Sequence, residues 1–252
     1  MTLRIPDDLD PSIRAGAQAA GMSLNAYIVR AAGGDGRAVI VDPGEEAERL
    51  LGAAGALGVA IEAILITHCH FDHIGAVAPV ARATGAPVYC PEIERAVLAD
   101  VMRWVPPGFG PFESYEAEHL LAGGERLALA GLHVEVIFTP GHSAGHLTYA
   151  ISPAARDRDR APSGQAPAAG ALLSGDVLFQ GSVGRVDLPG GDWATLERSI
   201  GGLLRAFPGD TVVYPGHMGV TTLGRERDTN PFLAELRSAI PASTPGAAAA
   251  GS

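Results

Sequence analysis

The chain has 252 residues, 47% of them hydrophobic, and a formal net charge of -10 at pH 7. This length and composition allow one substantial hydrophobic core, so we expect a single domain. The negative charge argues against a nucleic acid or an anionic membrane as the main partner, because both would repel the protein at long range. The sequence contains no lysine, which excludes enzymes that form a Schiff base on a lysine side chain.

Cysteine content and hydropathy indicate the cytoplasm. Two cysteines, Cys69 and Cys90, are too few for a disulfide framework. We find no apolar run of membrane length and no charged leader followed by apolar residues. We therefore expect a cytoplasmic protein whose two thiols are buried and unpaired.

The N-terminal residues allow two mutually exclusive structures. Residues 2–31, which begin Thr-Leu-Arg-Ile-Pro-Asp-Asp-Leu, resemble a ribbon-helix-helix DNA-binding module, in which Ser23–Ala31 would belong to a helix. The same segment can instead form a first strand at Asn25–Val29, which pairs with a strong strand at Ala38–Val41 across a glycine-rich turn. We favour the strand, and we then interpret residues 1–22 as an extension of uncertain structure or a helix packed on the outside.

Alternating strand and helix patterns continue along the chain to residue 240. We predict helices at 44–57, Ala76–Thr84, Pro91–Val101 and Trp193–Phe207. We predict strands at Ile61–Thr67, Pro87–Cys90, Arg126–Leu129, Leu132–Phe138, His146–Ile151, Ala171–Ser174 and Thr211–Tyr214. The stretch Trp104–Pro111 is too irregular for either. Such alternation predicts an α/β domain over residues 23–240, in which helices cover buried sheets.

Two segments have the composition of disordered chain. Residues 152–170 are rich in Ala, Pro, Arg, Asp and Ser without apolar periodicity, and residues 241–252 are an Ala/Gly/Ser/Pro tail. We expect a surface insertion and a dispensable end.

A histidine-rich motif directly follows the predicted strand at Ile61–Thr67. It reads His68-Cys-His70-Phe-Asp72-His73 and brings three imidazoles and a carboxylate into six residues. Near-extended backbone sends His68 and His70 to the same side, where they can bind one ion. Asp72 and His73 lie beyond the turn and can face a second ion.

Three more candidate ligands arrive singly, each at the end of a predicted strand and each directly after a glycine. They are His142, Asp176 and His217. Glycine lets the chain turn tightly and approach a metal without a clash at Cβ. Chance assembly of all seven candidates is improbable, so we predict a metal centre.

These motifs resemble the metallo-β-lactamase superfamily, and within it the glyoxalase II-like hydrolases of hydroxyacyl thioesters, over roughly residues 24–240. The resemblance implies a four-layer αββα sandwich and two divalent metal ions. It assigns His68, His70 and His142 to the first ion, Asp72, His73 and His217 to the second, and Asp176 to a bridging position. In this resemblance Asp42 supports the ligand loops without binding metal.

The ligand types suit Zn²⁺, Fe or Mn²⁺, and we expect zinc. A water bridging two such ions would lose its proton near neutral pH and attack a carbonyl, with Asp72 orienting it as a catalytic residue. A small-molecule thioester is the best-matched substrate, since its thiolate leaving group has a modest pKa, and the resemblance names S-lactoylglutathione or a related acyl-thiol. Arg185 could contact a substrate carboxylate or pair with Asp187 or Asp192.

His146 is expected to support the ligands without binding metal. We interpret His119 and His133 as ordinary surface or core residues.

Other functions remain compatible with these residues. A persulfide dioxygenase would use one iron on His68, His142 and Asp176, and a lactonase could use the same ligands. A β-lactamase is disfavoured, because those enzymes lack a bridging Asp at the position of Asp176. A metal-sensing DNA-binding regulator would use the N-terminal segment. The oligomeric state is left open.

Overall fold

The computed structural model describes residues 13–14, 17–18, 25–153 and 170–239. The described strands are β1 (Ile13–Arg14), β2 (Ala17–Gln18), β3 (Asn25–Ala31), β4 (Arg37–Val41), β5 (Ala60–Leu65), β6 (Val88–Pro91), β7 (His119–Leu121), β8 (Arg126–Leu129), β9 (Leu132–Phe138), β10 (Leu147–Pro153), β11 (Ala171–Gly175), β12 (Leu178–Phe179), β13 (Ser182–Val183), β14 (Val212–Pro215) and β15 (Thr221–Thr222). The described helices are α1 (Ala47–Ala56), α2 (Phe71–Ile74), α3 (Val77–Thr84), α4 (Arg95–Ala99), α5 (Trp193–Ala206), α6 (Leu223–Thr229) and α7 (Ala234–Ala239), and 3₁₀ turns lie at Glu92–Glu94, Val101–Arg103 and Pro231–Leu233.

The first sheet has the strand order β1-β3-β4-β5-β6-β7, with β2 also paired to β3. β3 and β4 form the predicted antiparallel hairpin, in which Tyr27 lies opposite Val41. From β4 to β7 the strands are parallel, so their carboxyl ends lie at one edge of the sheet. The histidine-rich loop leaves the sheet at that edge.

The second sheet has the order β15-β14-β11-β10-β9-β8. Strands β8 to β11 form an antiparallel meander, and β14 joins β11 in parallel. A parallel pair needs a crossover connection, and α5 lies within it. A separate ribbon of β12 and β13 follows β11.

Apolar side chains form three layers around the two sheets. Along β3, β4 and β5, Ile28, Ile40 and Ile64 pack with residues of α1 and α3. Val29, Val41 and Leu65, the next residue on each strand, pack instead against the second sheet. The opposite face of the second sheet packs against α5 and α6. This alternation produces the predicted four-layer αββα order in one domain.

The N-terminal segment follows the strand interpretation. Asn25–Ala31 forms β3, so a ribbon-helix-helix module, which needs a helix over this stretch, is wrong for these residues. The described parts of the predicted extension are β1 and β2, which pair with β3. The rest of residues 1–22 lies outside the described residues.

The first two residues of the predicted insertion at 152–170 belong to a strand instead. Ser152 and Pro153 extend β10 because they pair with β9, and residues 154–169 lie outside the described residues, as does the predicted tail at 241–252.

The predicted helix at Pro91–Val101 is broken into a 3₁₀ turn, α4 and a second 3₁₀ turn. Glu94 and Asp100 interrupt it, with φ/ψ of -102°/4° and -144°/58°. The Glu94 side chain points into the protein and is hydrogen-bonded there, a tertiary contact that overrides helical propensity.

Within the described part of the chain, no helix combines the length and apolar character needed to cross a bilayer.

Candidate metal centre

The histidine-rich loop begins where β5 ends. His70 keeps extended backbone (φ -68°, ψ 145°), and α2 starts at the next residue. The short helix carries Asp72 and His73, which separates them from His68 and His70. The turn anticipated from the motif is therefore one turn of helix.

Three imidazole nitrogens converge at the first position. His142 Nε2 lies 3.2 Å from His68 Nε2 and 2.8 Å from His70 Nδ1, and the two latter atoms are 3.1 Å apart. Ligand nitrogens on one tetrahedral zinc, with bonds of about 2.0–2.1 Å, lie roughly 3.3 Å apart. These three residues, the first triad, can therefore hold one metal ion.

A second triad, made of Asp72, His73 and His217, lies beside the first. His217 Nε2 is 3.4 Å from Asp72 Oδ2, and His73 Nε2 is 3.9 Å from the same oxygen. The donor atoms of Asp72, His73 and His217 all lie within 4.8 Å of one another. The arrangement mixes imidazole and carboxylate and can hold another ion.

Asp176 lies between the two triads. Its Oδ2 is 3.6 Å from His142 Nε2 and 3.3 Å from His217 Nε2, and its Oδ1 is 3.4 Å from His73 Nε2. The structure thus brings all seven predicted ligands into one pocket.

Two buried atoms of this pocket lack a hydrogen bond. Among the described residues, His73 Nε2 and Asp176 Oδ1 are inaccessible to solvent and face each other at 3.4 Å, but neither forms a hydrogen bond of adequate geometry. Leaving such groups unsatisfied costs about 1–3 kcal/mol each. A cation coordinated by both atoms removes that penalty, so these residues fit a bound metal.

A relay from Asp42 orients one imidazole of each triad. Thr67 donates from its hydroxyl to Asp42 Oδ2 (2.7 Å), so that hydroxyl can only accept from His68 Nδ1 (3.0 Å). The same carboxylate oxygen accepts from His73 Nδ1 at 3.1 Å. Both rings therefore carry their proton on Nδ1 and turn Nε2 toward the pocket, as metal-ligating histidines require.

Three further contacts fix the loops that carry His142 and Asp176. His142 Nδ1 donates to the Arg185 carbonyl (2.8 Å), which leaves its Nε2 free to bind. His146 Nε2 accepts from the Asp176 backbone N–H at 3.0 Å, and its Nδ1 lies 3.1 Å from Thr139 Oγ1. Both nitrogens of His146 are engaged, so it supports the Asp176 loop and does not join the triads.

Residues 21–154, more than half of the chain, match the metallo-β-lactamase superfamily. The chain belongs to that superfamily. It is accordingly a metal-dependent hydrolase with a divalent-metal centre.

Two curated relatives of this superfamily member match most of its length. It is 38% identical over 217 residues to the probable metallo-hydrolase YqgX of Bacillus subtilis, covering 84% of this chain and 93% of that protein. It is 32% identical over 204 residues to the hydroxyacylglutathione hydrolase GloC of Haemophilus influenzae, covering 78% of this chain and 87% of that protein.

Two solved structures are similar in fold and sequence. BLEG-1, a B3 metallo-β-lactamase, has 37% identity and a TM-score of 0.74 over 88% of this chain and 99% of its own. TTHA1623, solved in a di-iron-bound form, has 37% identity and a TM-score of 0.63 over 86% and 99%.

The two triads of this superfamily member differ in electrostatics. Burial lowers the pKa of His142 to about 4, and burial together with the neighbouring imidazoles holds the pKa of His68 well below its ordinary value. Burial alone would also lower the pKa of His217, but Asp176 and Asp72 outweigh it and raise that pKa to about 9. The first triad therefore presents neutral nitrogens, whereas at the second a metal ion must displace protons.

Glycines let the ligand loops pass close to one another. Gly175 adopts a left-handed φ of +46°, and a Cβ there would lie 2.5 Å from Thr67 Oγ1. A Cβ on Gly216 would lie 2.3 Å from Asp176 Oδ1 and 2.6 Å from His73 Cε1. The predicted reason for glycine before these ligands, close backbone approach, holds at both positions.

Arg185 and Asp192, which the sequence placed near the site as a possible ion pair, have different partners. Arg185 is exposed and forms an ion pair with Asp187, with Nε 2.6 Å from Oδ1. Asp192 instead caps α5 by accepting from the Thr195 backbone N–H. Cys69 and Cys90 are both free and buried, as expected.

Three polar residues near the ligands were not predicted. Thr67 directly precedes His68 and Thr139 lies three residues before His142, so a buried hydroxyl close to a strand end was a usable signal. Glu94 offered no signal, because it occupied the interior of an expected helix and its contacts are all distant in sequence.

Proposed function

We propose that this chain is a dinuclear hydrolase that cleaves a thioester of the hydroxyacyl-thiol type, such as S-lactoylglutathione. The observation that carries the proposal is the pair of triads with Asp176 between them. A single-iron persulfide dioxygenase would bind its metal through His68, His142 and Asp176 alone, and would give the close grouping of Asp72, His73 and His217 only a supporting role.

In the proposed assignment, His68, His70 and His142 bind the first ion. Asp72, His73 and His217 bind the second, and Asp176 contributes to both. When bound, two divalent ions supply an activated water and polarise a substrate carbonyl.

Asp72 is proposed to orient the attacking water. Burial raises its pKa, but His217 and His73 outweigh that effect, so the pKa lies below its ordinary value and the group is ionised at neutral pH. An ionised carboxylate only accepts hydrogen bonds. It can therefore hold the water by one proton and keep its lone pair directed at the carbonyl.

A thioester fits this site because its leaving group needs no strong acid. A thiol has an ordinary pKa near 8.5, so the departing thiolate is stable enough to leave without a dedicated proton donor. The resemblance to GloC, a hydroxyacylglutathione hydrolase, supports the same substrate class. Arg185 is proposed to contact a substrate carboxylate, for which its exposed pairing with Asp187 must open.

Zinc is the proposed metal, although imidazole and carboxylate ligands also suit iron. The di-iron form of TTHA1623, a protein 37% identical to this chain, makes iron the competing choice.

Hydrolysis of a β-lactam, which the presence of Asp176 in the sequence disfavours, is nevertheless the second candidate function. The 37% identity to BLEG-1, a B3 metallo-β-lactamase, favours it. Both reactions need an activated water beside a polarised carbonyl, so the substrate decides between them.

Elemental analysis of protein purified without added metal, combined with a substrate panel, tests the proposal. The panel contains S-lactoylglutathione, other acyl-thiols, lactones, β-lactams and a persulfide. We expect close to two metal ions per chain and the highest kcat/KM on a thioester. One iron per chain with oxygen consumption on the persulfide, or preferential turnover of the β-lactam, would overturn it.

A further inference from the structure

Glu94 is a buried carboxylate outside the triads that accepts three hydrogen bonds. It lies at the end of the 3₁₀ turn that follows β6 and is only 7% exposed. Its Oε2 accepts from the Cys69 backbone N–H at 2.6 Å. Its Oε1 accepts from the Ser143 hydroxyl at 2.5 Å and from the Gly145 backbone N–H at 2.7 Å.

These three donors belong to the two loops that carry the first triad. Cys69 lies between His68 and His70, and Ser143 directly follows His142. One carboxylate therefore ties together two loops that are more than 70 residues apart in sequence, as the His142–His70 contact spans a separation of 72. Neither loop is bonded to Glu94 through a ligand side chain, so its action is on backbone position.

The backbone at Gly145 approaches Glu94 closely. A Cβ at Gly145 would lie 2.7 Å from Glu94 Cγ and 3.1 Å from Oε1. Glycine is thus required there for the carboxylate to reach both loops, which explains a glycine that directly precedes no predicted ligand.

We propose that Glu94 is a positioning residue that sets the spacing of His68, His70 and His142 and so determines the affinity of the first metal position. The proposal rests on the ligand assignment made above. Both carboxylate oxygens of Glu94 accept hydrogen bonds. A Gln in its place must turn an NH₂ group toward at least one of the donors, so one loop loses its anchor.

Glu226 provides a matched control in the C-terminal part of the chain. It is fully buried and also accepts three hydrogen bonds, from the Gly181 backbone N–H, the Thr221 hydroxyl and the Asn230 amide. None of these groups belongs to the two loops that carry the first triad. E226Q therefore reproduces the loss of a buried carboxylate without touching the first position.

The experiment titrates metal-free protein with Co²⁺ against a chromophoric chelator and records the visible ligand-field spectrum and the Tm. We expect E94Q to raise one of the two Co²⁺ dissociation constants by about 10-fold or more, the scale found when a hydrogen-bond partner of a metal ligand is lost. We also expect it to alter the visible spectrum. E226Q should lower the Tm but keep both constants within about two-fold of those of the unchanged protein, a margin small beside the 10-fold effect.

Wild-type constants and spectrum in E94Q, with only its Tm lowered, would make Glu94 a plain structural contact and overturn the proposal. Failure of the unchanged protein to bind two Co²⁺ ions would overturn the ligand assignment first, and this inference with it. Should E94Q not fold, S143A removes one of the three hydrogen bonds and keeps the charge. S143A should raise the same dissociation constant by a smaller factor, and an unchanged dissociation constant would contradict the proposal.

Discussion

At the scale of single residues, the site is organised by side chains that bind no metal. Asp42 reaches His73 directly and His68 through Thr67, so one carboxylate influences both triads. The candidate ligands were predictable because they are grouped in a motif or follow a glycine at a strand end. Glu94 could not be assigned its role, since all its contacts join distant parts of the chain.

Replacing Asp42 with Asn should weaken metal binding by about 10- to 100-fold. The amide would place a donor against donors at Thr67 or His73, so one imidazole loses its fixed orientation. Asp42 has a positive φ of 50°, which Asn tolerates well. The variant should therefore fold, and circular dichroism checks this before isothermal titration with Zn²⁺. Affinity equal to that of the unchanged protein would refute the relay.

Replacing Asp176 with Ala should abolish metal loading and hydrolysis together, because Asp176 contacts both triads. Metal content by mass spectrometry and kcat/KM on the best thioester are the two readouts. The control is D187A, which removes an exposed carboxylate whose partner is Arg185 and should retain its metal. Full metal content in D176A would contradict the assignment.

The two thiols should be unreactive in the folded protein. Burial, with the neighbouring Cys90 thiol, raises the pKa of Cys69 well above its ordinary value, so at pH 8 the thiol stays protonated and the nucleophilic thiolate is scarce. We expect almost no reaction with a disulfide reagent such as Ellman's reagent, and two reactive thiols per chain in denaturant. Rapid labelling of one thiol in the native protein would disprove this.

At the scale of elements, the helices and strands of the sandwich were largely predictable from apolar periodicity. The hairpin of β3 and β4, strand β5 and helix α5 lie within a residue or two of their predicted positions. The helix at Pro91–Val101 was wrong because Glu94 turns inward, and β7 was missed because three residues, His119–Leu121, carry too little pattern. Short elements held by tertiary contacts have no local signal.

Two glycine substitutions should differ in their effects, because a Cβ at Gly216 would overlap its neighbours and a Cβ at Gly52 would not. G216A should weaken metal binding, since its methyl group would overlap Asp176 and His73. G52A lies within α1, where an added Cβ meets nothing within 4 Å, and should stabilise the protein by about 0.5–1 kcal/mol. Urea unfolding and zinc titration of both variants provide the check. Equal zinc affinity in G216A and the unchanged protein would argue against the tight approach.

At the scale of the whole molecule, the fold places loops from both sheets at one edge of the sandwich. β5 supplies the histidine-rich loop from the first sheet, and β11 and β14 supply Asp176 and His217 from the second. Packing of the two sheets through their shared apolar layer therefore builds the pocket. The layered class was predictable from the element pattern, whereas membership of the superfamily rested on the ligand motif.

Anomalous diffraction from crystals of the metal-loaded protein shows directly how many ions the seven candidate ligands bind. We predict two peaks roughly 3.5–4 Å apart, the separation typical of two-metal sites. One should contact His68, His70 and His142, the other Asp72, His73 and His217, with Asp176 reaching both. A single peak, or a second ion bound away from Asp176 and His217, would refute the assignment of these residues to a two-metal centre.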